Sequence, residues 1–348
     1  MTTPYWLLGA PFDAITLSDI RDKVFAAADS REQLIFATPN VHFLTQASWD
    51  PRFREDILRT GLSLVDGMPV VWLGVLLGVP FGGRVAGSDL LESLIVEPGP
   101  RPLRVFFFGG EEGAAEAAVQ AVQTRGGGLR AVGAHFPGFV SVEEMSSDAV
   151  IDEINRSDAD LLVVALGAVK GHRWMEANRN RLRIPVICHL GAAINFVSGR
   201  LRRAPRFLQQ VGLEWLWRIK EEPALFPRYA RDAQFLLRAV AGSVLPELIR
   251  RPFRKRRALA MQAIRHSDGR MAVSVNVTFG TAEVAAMQQM DVAELTLIGI
   301  TRLDATGVGW LYASRYRRAK ESRLLVYCDP ISRETLRRWR ADFLITDF

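Results

Sequence analysis

Val105-Phe106-Phe107-Phe108-Gly109-Gly110-Glu111-Glu112-Gly113, followed by the alanine-rich run Ala114 to Gln123, reads as strand, glycine turn and helix. Four consecutive apolar residues leave no polar face for water, so this strand predicts burial on both sides of a sheet. The pattern recurs along the chain. Leu34-Ile35-Phe36-Ala37 ends at Thr38, Leu62-Ser63-Leu64-Val65 ends at Asp66, Leu161 to Leu166 ends at Gly167, and Ile184 to Leu190 closes the series. Helical stretches at 50–59, 70–77 and 172–181 lie between them. Short apolar strands alternating with helices predict an α/β fold on a mostly parallel sheet. Ligands of such sheets bind beyond the carboxyl ends of the strands. Thr38, Asp66, Gly109 and Gly167 are all expected at that end.

The 348 residues favour more than one domain, and 49% apolar content is ample for packed cores. Cys188 and Cys328 stand far apart, which gives neither a disulfide framework nor zinc spacing and fits a cytoplasmic protein. Met1 to Tyr5 shows no signal-peptide pattern, and the longest apolar run, Leu161 to Val169, is too short to span a bilayer. The charge is uneven. From Arg200 to Arg257 there are fifteen Lys or Arg against five Asp or Glu, a net of +10 in a chain that carries +6 overall. Anionic partners are expected there. The texture also changes after Gly199, where Arg, Trp, Phe and Pro accumulate. The expected organisation is a Rossmann-like α/β core at 1–199, a basic helical appendage at 200–250, a linker at 251–269 that takes the basic run from Arg251 to Arg257, and a small α/β domain at 270–348.

Several side chains at the strand ends admit two readings each. Asp66 is a general base, or it caps the helix that starts near Met68. Thr38 and Asn40 bond a sugar, or they close a turn around Pro39. Arg84 forks onto a diphosphate, or it is a solvated surface residue. Gly109-Gly110 sits between strand and helix, where backbone N–H groups hold phosphate, or the chain merely packs tightly there. The stretch lacks the G-x-G-x-x-G pattern, and no dinucleotide cofactor is expected.

From position 5 to about 240 the chain resembles the WecG/TagA/CpsF glycosyltransferases, glycosyltransferase family twenty-six. The resemblance rests on Thr38-Pro39-Asn40, Asp66-Gly67-Met68, Arg84 with Gly87-Ser88-Asp89, Gly109-Gly110, and Gly167 with Lys170 and Trp174. It continues through Arg203-Ala204-Pro205, Gly212-Leu213-Glu214-Trp215-Leu216-Trp217-Arg218, Glu222-Pro223 and Arg228-Tyr229. It implies an inverting, metal-independent transfer from a nucleotide-sugar donor to a polyprenyl-diphosphate-linked acceptor. It also implies an appendage that closes the site and meets the inner face of the cytoplasmic membrane. Asp66 then takes the catalytic place. Thr38, Asn40, Arg84, Asp89, Gly109, Gly110, Lys170, Asn195, Arg203, Arg218 and Arg228 are the implied substrate-binding residues. The alternative is a catalytically weak scaffold that binds nucleotide sugar or lipid.

Two departures from the family pattern stand near the nucleotide or sugar. The family usually reads Gly-x-Pro-Lys-Gln-Glu, whereas here Gly167-Ala168-Val169-Lys170-Gly171-His172 lacks the proline and the glutamine. A phenylalanine-aspartate pair becomes Ile194-Asn195. Asp158-Ala159-Asp160 spells the metal-binding D-x-D of another glycosyltransferase fold, but it precedes its strand and reads as turn chemistry. The arginines and tryptophans of the appendage suit a lipid surface; no nucleic-acid motif accompanies them. Residues 270–348 resemble a STAS domain through Leu303-Asp304-Ala305-Thr306-Gly307-Val308-Gly309. That implies protein docking or self-association, by which the scaffold alternative recruits partners, or a regulatory phosphosite at Thr306, where the hydroxyl is kept while Ala305 loses the other one.

Overall fold

The computed structural model describes residues 3–250, 261–265, 267, 270–288, 290–317 and 324–346. The basic run at 251–257 and most of the expected linker lie outside the described residues. The described residues form two compact units, one of 15–71 and 81–232, the other of 1–14, 72–80 and 233–348. These limits differ from boundaries at 199, 250 and 269, because the second unit gathers segments from the beginning, the middle and the end of the chain.

The first unit holds a six-stranded sheet in the order Leu62–Ser63, Leu34–Ala37, Val186–His189, Leu161–Ala165, Leu103–Gly109, Leu129–His135. All neighbouring pairs are parallel. The alternation of side chains explains the continuous apolar strands. Val105, Phe107, Leu161, Val163 and Ala165 enter one hydrophobic cluster, while Phe106, Phe108, Leu162 and Val164 enter another. Successive residues point to opposite faces, so both faces of the sheet are covered. Short polar residues start the helices that follow. Asn40 caps Val41–Trp49 by accepting from the His42 N–H, and Asp50 caps Pro51–Arg59 by accepting from Arg52 and Phe53.

Beyond the last strand, this unit continues through helices Ala193–Val197, Arg206–Gln210 and Glu214–Glu221 into Phe226–Ala239. Asp232 in the last of these is buried and bonds His42 Nδ1 at 3.2 Å. That contact ties the helix to the one that opens after Thr38-Pro39-Asn40.

The second unit contains a four-stranded sheet in the order Leu325–Cys328, Val292–Leu303, Met271–Phe279, Met261–Arg265. The first two pairings are parallel and the last is antiparallel. Met261–Arg265 was expected within a linker; four of its five residues are exposed, so no apolar alternation marks it as a strand. The hairpin Tyr5–Leu7 and Ala10–Phe12 belongs to this unit as well. Trp6 is fully buried there, tilted against Tyr312 and Phe343, and its indole N–H donates to the Trp339 carbonyl at 2.8 Å. Arg317 donates to both oxygens of buried Asp13 at 2.7 and 2.8 Å.

Candidate active site

Asp66 leaves the sheet at its carboxyl end. Its N–H donates to Pro39 O at 3.2 Å, and Val85 N–H donates to Val65 O at 2.7 Å, so the segments carrying Asn40, Asp66 and Arg84 run side by side. Gly67 turns the chain at φ +85° and lends its carbonyl to the N–H groups of Val70 and Val71. Gly67 is therefore the cap of Met68–Leu77, and the Asp66 carboxylate is not spent on that role. Asp66 is half-buried. Burial raises its carboxyl to about 7 against the pull of Arg84, and the carboxylates of Glu214 and Asp89 push the same way as burial.

Arg84 is held by two acids, Glu214 at 2.5 Å and Asp89 at 3.0 Å. Arg203 takes the other oxygen of Asp89 and lies 3.8 Å from Glu214. Two guanidinium groups and two carboxylates thus form a balanced square beside Asp66. Arg203 and Arg218 both lie over the Phe196 ring, at 5.7 and 5.4 Å from its centroid. Buried nitrogen atoms on Arg203, Arg218 and Arg228, and the buried side-chain oxygen of Asn195, have no hydrogen-bond partner. An unpaired buried polar group costs about 1–3 kcal/mol, and folded proteins leave few of them. The described arginine side chains of 200–232 divide: 203, 218 and 228 are partly covered, whereas 200, 202 and 231 are exposed.

The remaining expected residues fare differently. Thr38 is buried at the end of its strand. Asn40 spends its side-chain oxygen on the His42 N–H at 3.0 Å. The Gly110 N–H donates to Ala165 O at 2.7 Å and is not free for phosphate. A Cβ at Gly109 would stand 2.8 Å from Leu166 and 2.9 Å from the Ala165 carbonyl, so this turn is one of close packing. Lys170 is exposed and donates to the Val140 carbonyl at 2.9 Å. Gly171 faces the His189 ring, where a Cβ would come within 2.2 Å of Cδ2. Asp160 lies at the amino-terminal end of the interior strand Leu161–Ala165, where burial raises its carboxyl but Arg104 and Arg101 outweigh it and hold it well below the usual range. Among the described residues no group of three or more His, Cys, Asp or Glu is placed to hold a metal ion.

Glu214 and Phe196 join this cluster without standing among the residues expected from the sequence. Glu214 was visible only as one letter of a motif, 130 residues from the arginine it meets. Phe196 gave no signal beyond standing next to Asn195.

In the second unit, Asp304 caps the helix Ala305–Tyr312 by accepting from Gly307 N–H, and it also accepts from the Thr281 hydroxyl at 3.0 Å. That hydroxyl is 3.2 Å from the oxygen of Thr306.

Comparison with known proteins gives one consistent picture. The model of the Glycosyl transferase WecG/TagA/CpsF family matches residues 5–247. An N-acetylglucosaminyldiphosphoundecaprenol N-acetyl-beta-D-mannosaminyltransferase of Bacillus spizizenii is 29% identical over 195 residues, 56% of this chain and 73% of that protein. The protein of the same name from Staphylococcus aureus strain NCTC 8325 is 25% identical over 214 residues, 61% of this chain and 82% of its own length.

Proposed function

The chain belongs to the WecG/TagA/CpsF glycosyltransferase family, and from that premise we propose that it moves a sugar from a nucleotide-sugar donor to a polyprenyl-diphosphate-linked acceptor in cell-surface polysaccharide synthesis. The names of its relatives, which transfer N-acetylmannosamine to a diphosphoundecaprenol-linked N-acetylglucosamine, support this class of substrates. The donor sugar is taken to be an N-acetylhexosamine, a uronic acid or a hexose.

Asp66 is the base. The acceptor hydroxyl oxygen attacks the anomeric carbon, the bond from that carbon to the nucleotide diphosphate breaks, and the hydroxyl proton passes to the Asp66 carboxylate. The configuration inverts because attack and departure take place on opposite faces. The leaving diphosphate gains negative charge as the bond breaks. Arg203, Arg218 and Arg228 are suited to meet it, since each retains a buried nitrogen without a partner. On this reading they supply the positive charge that a metal ion supplies elsewhere. Asn195 and Lys170 contribute hydrogen bonds to the donor, and Thr38, Asn40, Arg84 and Asp89 line the acceptor side.

The observation that carries the proposal is a half-buried carboxyl held near neutrality at the carboxyl end of a parallel sheet, next to the carboxylates that hold Arg84 and Arg203. The experiment is a transfer assay on purified Asp66→Asn. A base of this kind contributes about a hundred- to ten-thousand-fold, so a loss of that size is expected, and an unchanged rate refutes the assignment.

The membrane face of this reading rests on exposed Phe207, Val211, Trp215, Leu216 and Phe226 beside exposed Arg202, Lys220 and Arg231. No helix among the described residues is long and apolar enough to cross a membrane, which fits peripheral attachment at the inner face. Co-sedimentation with anionic but not neutral vesicles is the expected result. For residues 270–348 the STAS-like reading draws on the strand–Asp304–helix turn and the half-buried Thr306 within it. Phosphate on Thr306 in protein purified from its native cell is the result expected of that regulatory role, and its absence under all growth conditions removes the role.

A further inference from the structure

Glu214 is the first residue of the helix Glu214–Glu221, yet its carboxylate reaches away from its own helix to Arg84 at 2.5 Å and toward Arg203 at 3.8 Å. Its side chain is only 21% exposed, and that of Arg84 only 13%. The pair therefore sits where water screens it weakly. Four residues on, the same helix carries Arg218, whose guanidinium lies over Phe196. The groups that act electrostatically on residue 66 are Arg84 from the segment before helix Gly87–Val96, Asp89 from that helix, Glu214 from the later helix, and the adjacent Gly67 N–H.

We propose that Glu214 is a positioning residue for the transfer reaction: by gripping Arg84 and Arg203 it docks the helix that brings Arg218 to the diphosphate, and it keeps Arg84 from neutralising Asp66. The inference rests on the proposed function for its chemical purpose, but not for its physical content. A guanidinium free to swing onto Asp66 stabilises the carboxylate and makes it a poorer proton acceptor. With Glu214 and Asp89 in place, the two arginine charges are already matched, and Asp66 is the unmatched negative group. Removing the Glu214 charge acts twice in the same direction: one negative neighbour disappears, and Arg84 is released. A merely structural glutamate, favourable at the positive end of its helix dipole, has no such effect on residue 66.

The test titrates Asp66 itself in the full chain, by infrared difference spectra of the carboxyl band against Asp66→Asn as the blank. Glu214→Gln is expected to lower the midpoint by about one pH unit, and the acidic limb of kcat/KM is expected to move with it. Glu214→Asp, which keeps the charge but cannot span both arginines, is expected to give about half that shift, and it serves if the glutamine variant does not fold. A midpoint that stays in place or rises in these variants overturns the proposal. This readout is independent of turnover, so it is separable from the transfer assay on Asp66→Asn: if that variant remains active the base assignment fails, while the titration still decides what Glu214 does.

Discussion

Asp66 is a carboxyl that folding has turned into a weaker acid. In the folded chain it titrates at about 7, and in an unfolded chain near 4. Between those values the folded protein holds a proton that the unfolded chain has released. Stability from this group is therefore fully present below about pH 4 and is lost as pH rises through about 7. Three units correspond to about 4 kcal/mol, and partial solvent access reduces that to about 2 kcal/mol. Asp66→Asn is accordingly expected to melt higher than the parent at pH 8 and level with it at pH 4.5, while losing transfer. A lower melting temperature at pH 8 shows a carboxylate that supports the fold, and the strained-base reading then falls. Asp66 and Asp160 look alike in the sequence, each bordering an apolar run. Chain direction separates them: Asp160 precedes its parallel strand and is bound by Arg101 and Arg104, whereas Asp66 follows its strand. That much was legible. The raised proton affinity was not, because it depends first on burial, and then on Glu214 and Asp89, all of which only the fold supplies.

At the scale of elements, helix Ala168–Asn178 meets strand Val186–His189 through a glycine. A Cβ on Gly171 would come within 2.2 Å of His189 Cδ2 and 2.4 Å of Nε2. The His189 ring cannot retreat freely, since Nε2 bonds the Leu166 carbonyl at 2.8 Å and the ring packs edge-on against Phe43. The glutamine usual in the family and His189 therefore exclude one another. Alanine normally gains about 1 kcal/mol over glycine inside a helix, but overpacking costs about 1–3 kcal/mol, so the clash decides the sign. Gly171→Ala is expected to lower stability by about 1–2 kcal/mol in chemical denaturation. In the His189→Ala background the same change is expected to be neutral or stabilising. A stabilising Gly171→Ala on its own contradicts the contact. The sequence showed the missing glutamine but not its reason, because residues 171 and 189 lie on different elements. The strands themselves were readable wherever four or more apolar residues ran together, as at 105–108 and 161–165. Met261–Arg265 was not, because exposed residues dominate it.

At the scale of the molecule, the family match ends at residue 247, yet the family's opening hairpin is packed among residues that come after it. The Pro4 carbonyl stands 1.7 Å from where a Cβ on Gly309 would be, and Asp13 is sealed against Arg317 with 1% exposure. Removing residues 251–348 is expected to uncover Trp6, Leu7 and Phe12 and to take Arg317 away from Asp13. Breaking a buried pair costs about 3–5 kcal/mol, so the shortened chain should melt well below the full one or fail to remain in solution. Equal melting temperatures argue that the hairpin stands alone. None of this allegiance was legible: the first fourteen residues carry no mark of a partner some three hundred positions away. It has a consequence for synthesis. At about 5–20 residues per second a ribosome needs roughly 17–67 s to travel from Trp6 to Trp339, and for all that time the Trp6 indole lacks the carbonyl it bonds in the folded unit. The hairpin Tyr5–Leu7 and Ala10–Phe12 must wait in the open, within reach of chaperones and proteases, until the residues around 339 have been made.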